Sequence, residues 1–259
     1  MSCCGGGVGQ ALTDSRSLQW NPQANATTAI ISDGISVPTV VGTATARAVT
    51  NQDLLASLSR VGYVSAVAIN SVAGPRGPQL VTAVASQTGQ LSAGPFRVGR
   101  WSGLFDFGIS DAVLNAEARM FVGWSANTGA PTAVDPATLT DAIGFGQDNG
   151  DANLHFYSNS NGVFSDLDLG AGFPIAIGNV FRVIVECLAE PLAPGNIPPY
   201  RYKVINAKTG AVAAGSAPTN AGPRNGGVGV APRAWRATGP ASAIAVGIDL
   251  IWMRMKVQL

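Results

Sequence analysis

Phe181-Arg182-Val183-Ile184-Val185-Glu186-Cys187 is the stretch on which the fold turns. Phe181, Val183, Val185 and Cys187 recur at every second position with Arg182 and Glu186 between them, the period of a strand that is buried on one face and wet on the other. Residues 200–206 repeat the pattern with Arg201 and Lys203 outward. Upstream, Trp101, Leu104, Phe105, Phe107 and Ile109 open the same periodicity, which continues through 119–124, 143–147 and 154–158. Asn149-Gly150, between the last two, is a hairpin signal, because both turn positions call for positive φ. Downstream, Ile244, Val246, Ile248, Leu250 and Trp252 share a face, after which the apolar positions shift to Met253, Met255 and Val257. That shift predicts a bulge, or burial on both faces against a partner. One short helix interrupts the strands, with Asp135 as cap, Pro136 at its first position and Leu139 as its buried residue. Strands at steady spacing, joined by Gly, Pro and Asn turns, predict an all-β antiparallel sandwich.

Composition narrows the function. Charged residues make up 12% of the 259, about half the usual share of about 25%. The net charge of +1 supplies no field of one sign for a polyphosphate, so nucleic acid is not an expected partner. Apolar residues at 46% exclude disorder throughout. Met1-Ser-Cys-Cys-Gly-Gly-Gly has neither the basic start nor the apolar stretch of a secretory signal, and no run approaches 18 apolar residues. The expectation is a soluble protein made in a cytoplasm, with no membrane insertion. Three cysteines make no disulfide framework, and Cys3 and Cys4 lack the second pair that a zinc site needs. Cys187 reads as a small core residue.

The leading ninety residues read differently. Gly5 to Gly9 read as a flexible tail, and the small apolar groups at Ile30-Ile31, Ile35, Val37 and Val40-Val41 are too scattered to form a core of their own. They suit a segment that lies along another surface. A helix is expected over 52–61, capped by Thr50 or Asn51, striped by Leu54, Leu55 and Leu58 and ended by Gly62. Gly74-Pro75-Arg76-Gly77-Pro78 reads as a turn. The organisation expected is an N-terminal attachment and assembly arm over 1–90, carrying one short helix, and a sandwich domain over 91–259.

A series of phrases in fixed order carries a resemblance: Arg60-Val-Gly-Tyr-Val-Ser, Gly103-Leu-Phe-Asp-Phe-Gly-Ile-Ser-Asp, Ala118-Arg-Met-Phe-Val-Gly-Trp, Val134-Asp-Pro-Ala-Thr-Leu, Ile143-Gly-Phe-Gly-Gln-Asp, Asp151-Ala-Asn-Leu, Asp168-Leu-Gly-Ala-Gly-Phe-Pro and Ala245-Val-Gly-Ile-Asp-Leu. Over about 60–259 the chain resembles tailed-bacteriophage virion structural proteins of the fibre, tail or decoration type. The resemblance implies a concanavalin-like, lectin-type jelly-roll sandwich, a place in the virion, and assembly with itself as a homotrimer and with capsid or tail proteins. It brings no catalytic motif.

Candidate sites follow from residue chemistry. Glycoside hydrolysis needs two carboxylates in register. The chain has three glutamates, Glu117, Glu186 and Glu190, in no glucanase spacing, while Asp166 with Asp168 and Asp148 with Asp151 read as edge and turn residues. No catalytic residue is assigned, and an enzyme is not expected. Asp148, Asn149, Asp151 and Asn153 offer oxygen ligands, but at no spacing typical of calcium sites, and His155 reads as a strand residue at a surface or interface; no metal and no cofactor are assigned. Gly5-Gly-Gly-Val-Gly-Gln lacks the Lys-Ser/Thr ending of a phosphate loop.

Glycan binding is the most serious of these site chemistries, with packing against a neighbouring subunit or a sheet edge set ahead of it. Arg233-Ala234-Trp235-Arg236 falls in a Gly/Pro-rich loop over 221–240, where Trp235 has no place in the strand pattern. Arg233, Trp235 and Arg236 are therefore candidate contacts, either to a glycan stacked on the indole or to a neighbouring subunit or sheet edge. Trp20 is a candidate anchor for the arm. The function expected is a non-catalytic structural protein of a phage particle that displays its sandwich outward; the alternative is an adhesin that recognises host surface glycans.

Overall fold

The computed structural model describes residues 26–30, 39–46, 61–76, 101–127, 129–160, 163–187, 199–218, 221–223 and 231–258. They form fifteen strands: β1 (Ala26–Ile30), β2 (Thr39–Val41), β3 (Thr43–Ala46), β4 (Val61–Val64), β5 (Val72–Arg76), β6 (Trp101–Ile109), β7 (Arg119–Ser125), β8 (Ala142–Gln147), β9 (His155–Ser160), β10 (Val163–Asp168), β11 (Val180–Cys187), β12 (Tyr200–Asn206), β13 (Val212–Ser216), β14 (Ala231–Ala237) and β15 (Gly247–Gln258). Every pairing is antiparallel. The eight-stranded sheet runs β13-β12-β11-β6-β15-β4-β3, with β1 on the far half of β15, and the seven-stranded sheet runs β10-β9-β8-β7-β14-β5-β2. The fold is the all-β antiparallel sandwich that the period-two pattern predicts, in the jelly-roll form that the resemblance implies.

The core lies between the sheets and is aromatic. Phe105, Phe107, Phe181, Val183, Tyr202 and Ile248 from the larger sheet meet Met120, Val122, Trp124, Phe145 and Phe156 from the smaller. Tyr202 crosses the gap, stacked on Phe156 at 4.0 Å and edge-on to Phe145 at 5.8 Å. Gly103 is where the sheets approach most demandingly, since a Cβ there would fall 1.8 Å from the Trp124 ring. Cys187 is a buried core thiol, as its alternation implies.

The two sheets are tied at one end by an ion pair. Arg236 of β14 grips Asp111, in the β6–β7 connection, through Nε and Nη2 at 2.9 and 2.7 Å, and both side chains are fully buried. Arg236 Nη1 donates to Gln147 of β8 at 2.8 Å, and Asp111 also accepts the Gly247 N–H that opens β15 at 2.8 Å. Each charge is thus paired and hydrogen-bonded, the condition for keeping ions in an interior.

Several expectations change. The boundary near residue 90 does not set an arm apart among the described residues: β1, β3 and β4 are hydrogen-bonded into the larger sheet and β2 and β5 into the smaller, while Ile31, Ile35 and Val37 lie outside the described residues. The helix expected over 52–61 lies outside the described residues except for Val61, which opens β4, and Gly62 pairs within β4 instead of ending a helix. Gly74-Pro75-Arg76 is strand β5, not a turn; Gly74 fits because its φ of 145° and close approach to β14 exclude a side chain. Gly150 has positive φ but Asn149 does not, and β8 and β9 are joined by a longer loop over 148–154. The helix after Asp135 is one 3-10 turn, Pro136–Thr138. The bulge near Trp252 is present as a register shift between Leu250 and Trp252, which turns Met253 into the core.

Asp111→Ala leaves Arg236 as an uncompensated buried charge and is expected to cost about 3–5 kcal/mol in urea unfolding. Asp111→Leu with Arg236→Met removes both charges and is expected to recover most of that loss; a double variant as unstable as Asp111→Ala would contradict this role of the pair.

Candidate functional site

The three candidate contacts of the 221–240 segment are not on a loop. Arg233, Trp235 and Arg236 belong to β14 and are 1%, 1% and 0% exposed. Alternation divides them: Arg236 points into the sandwich, to Asp111, whereas Arg233 and Trp235 lie on the outer face of the seven-stranded sheet. There the segment over 126–141 folds across the sheet and covers them. Trp235 packs with Phe121, Leu139, Ala142 and Ala237 in a second small core, with Val72, Ala133 and Val134 at its margin. Phe121 can lie close to the sheet because Gly123 and Gly144 beneath it carry no side chain. Two arginines hold the covering segment by its backbone. Arg119 donates to the Ala133 carbonyl at 2.9 Å and pairs with Asp135 at 2.8 Å, and Arg233 Nη2 donates to the carbonyls of Asn127 and Gly129. No sugar ring can stack on a Trp235 so enclosed. Trp20 lies outside the described residues.

The polar chemistry of that face gathers at its β9–β10 edge. Antiparallel register sets Asp166 opposite Tyr157 and Asp168 opposite His155, on the face that also carries Asn159 and Phe164. His155 Nδ1 meets Asp166 Oδ1 at 2.6 Å, while its Nε2 faces Asp151 at 3.6 Å and Asp168 at 3.9 Å. The imidazole stacks on Tyr157. Asp151 accepts the Tyr157 hydroxyl at 3.3 Å and the Asp148 N–H at 2.8 Å. Asp168 is held below the usual carboxylate range chiefly by the Gly170 N–H, which outweighs the opposing effect of desolvation, with Asn153 and His155 adding to the lowering. Beside these groups Phe164 is 53% exposed, and Leu167, on the opposite side of the strand at the open edge, is 45% exposed. Among the described residues, no three His, Cys, Asp or Glu side chains are arranged to hold a metal ion.

The sequence pairs Asp166 with Asp168 and singles out His155, but it does not bring them together. The missing signal is β10, Val163-Phe-Ser-Asp-Leu-Asp168, whose alternation is weak because an edge strand exposes both faces.

No protein-family model matches the chain, and no curated protein does. Solved structures do resemble it. Peanut lectin, solved with a nine-residue peptide, is 14% identical with a TM-score of 0.56, over 90% of this chain and 98% of that one. Arcelin-5, a lectin-like defence protein from Phaseolus vulgaris, is 11% identical with a TM-score of 0.55, over 91% of this chain and 100% of its own. Lectin UEA-II, complexed with galactose, is 12% identical with a TM-score of 0.55, over 91% and 100%. The likeness is one of fold, the lectin-type jelly roll that the sequence resemblance implies.

Asp148 is the titratable group that stands out at this edge. Burial pushes its carboxyl up to about 6, against the Ala137 N–H that favours the ionised form; the charges of Asp135, Asp151 and Asp166 add to the rise. A folded pKa above the reference 3.8 means that the fold prefers the protonated acid. The resulting penalty is absent at low pH, grows between about pH 4 and 6 and is fully present above that window. Asp148→Asn keeps the acceptor for Ala137 and removes the charge. It is expected to stabilise the protein at pH 8 by on the order of 1 kcal/mol after allowance for solvent screening, with no gain at pH 4, as read from urea midpoints at the two pH values.

Proposed function

We propose that the chain is a non-catalytic recognition protein, a lectin-like sandwich carried on the exterior of a tailed-phage particle, whose β9–β10 edge contacts host surface glycans. The observation that carries this reading is the placement on one strand face of an exposed Phe164 with Asp166 two residues on, about 7 Å along the strand. A sugar ring needs that pairing: an apolar surface for its C–H face, and carboxylate or amide groups at its margin for the hydroxyls. Asp166 gives one oxygen to His155 and keeps the other for a ligand, and Asn153 stands behind Asp168. The fold shared with lectins, one of them complexed with galactose, supports the same chemistry, and the likeness of the sequence phrases to virion proteins supports the particle.

A purely architectural role, as a decoration or cement component, is favoured by a different feature. Val67, Ile69, Val113, Leu114 and Ile244 are all exposed on the β4–β5, β6–β7 and β14–β15 connections. Hydrogen bonds from Asn115 to the Ile244 carbonyl and from Thr238 to the Ala68 carbonyl draw these loops to one end of the sandwich, where their apolar tips suit burial against a capsid or tail protein or in a homotrimer.

On a glycan array the wild type is expected to bind, and Phe164→Ala and Asp166→Asn are each expected to weaken binding about tenfold or more. Binding unchanged by both variants would remove the β9–β10 edge from the reading. No glycan binding, together with loss of particle occupancy in Ile69→Ser/Val113→Ser, would establish the architectural role instead.

A further inference from the structure

The outer face of the seven-stranded sheet carries a second arrangement, at the β14–β5 pair. Arg233 and Arg76 are register partners, directly opposite each other on neighbouring strands. Like charges in that position repel. Arg233 is 1% exposed, and burial, with a further contribution from the charge of Arg76, lowers its pKa to about 10. Two carbonyls, of Asn127 and Gly129, take the hydrogens of Nη2, but carbonyls carry no full charge to set against two cations. The Nε of Arg233, the Nε of Arg76 and the Nε1 of Trp235, two residues along the same face, are buried donors without a hydrogen-bond partner. Among the described residues neither guanidinium has a carboxylate partner. The contrast with three other arginines is direct: Arg119 pairs with Asp135, Arg182 with Asp106 and Arg236 with Asp111.

Buried donors left unmade cost free energy, and so does an unpaired buried charge. Both deficits end if one oxyanion enters between the guanidiniums, since carboxylate, sulfate and phosphate each accept from Arg at short distance and with charge assistance. Access runs past Arg76, which is only partly buried, beside the exposed Asn127 and Gly129.

We propose that Arg76 and Arg233 form an oxyanion-binding site on the outer face of the smaller sheet, with Arg76 as its entrance. On the glycan reading above, on which this source depends, the oxyanion is the acid group of a charged sugar; a free oxyanion makes the same contacts. His155 and Arg233 lie three strand spacings apart, roughly 14 Å across the sheet, with the 126–141 segment over the strands between them, so an oligosaccharide that meets both has to pass over that segment.

The test uses the full chain with potassium sulfate, a tetragalacturonate, a heparin-derived tetrasaccharide and a neutral galactose oligomer. Sulfate is expected to raise Tm more than chloride at equal ionic strength, and Arg76→Gln to abolish the difference. Arg76→Gln is expected to weaken acidic oligosaccharides about tenfold or more, Arg76→Lys by less because it keeps charge without the fork, and neither to affect the neutral oligomer. Equal effects of sulfate and chloride on the wild type, or acidic binding unchanged in Arg76→Gln, overturn the site. A sulfate response that requires Arg76 but persists in Asp166→Asn, with no oligosaccharide bound, upholds the oxyanion site and overturns the glycan source. Neutral binding lost in Asp166→Asn and kept in Arg76→Gln separates the two sites.

Discussion

The buried grip of Arg236 on Asp111 sets the geometry of one whole end of the sandwich. Four segments distant in sequence meet on it: β14 through the arginine, the β6–β7 connection through the carboxylate, β8 through Gln147 and the start of β15 through the Gly247 N–H. An apolar contact would hold the sheets as closely but would tolerate rotation and sliding. A two-pronged ion pair fixes both, because its hydrogen bonds fail when the planes tilt. The loops it closes present Val113, Leu114 and Ile244, so their spacing is fixed with it.

The outer face of the smaller sheet follows a different logic. A jelly roll commonly leaves this face to solvent, and here part of it is roofed by the 126–141 segment over Phe121 and Trp235. Arg119 and Arg233 fasten the roof through backbone carbonyls, and the Asp135 carboxylate is the roof side chain that adds to this hold. The roof reaches β9, where Asn159 donates to the carbonyls of Pro136 and Ala137, and it leaves β10 at the edge open. The division between the covered part and the open edge concentrates the accessible carboxylates along one border.

How far the sequence can be read depends on how many environments each strand touches. β11 and β12 border the core on one side and carry Arg182, Arg201 and Glu186 on the other, and their alternation is plain. β14 is buried on both faces, with an ion pair inside and a roof outside, so Ala231-Pro-Arg-Ala-Trp-Arg-Ala237 shows no alternation and imitates an exposed loop. β5 hides for a related reason: Gly74 and Pro75 are turn residues by habit, and only the close approach of β14 explains them as strand. The candidate site was half legible. Asp166, Asp168 and His155 attract notice singly, but their convergence depends on the β9–β10 register, which a two-faced edge strand does not announce.

The pairing of β1 with β15 joins Ala26 to Gln258, the first described residue to the last. β4, too, finds its place against β15, and β3 follows on β4. During synthesis the early segments therefore emerge long before the strand that receives them, and the larger sheet cannot close until β15 has been made. Contacts of such long range make for slow folding. The nascent chain must carry its unpaired leading strands in solution for that interval, and their small, weakly apolar side chains suit them to wait there without sticking to one another.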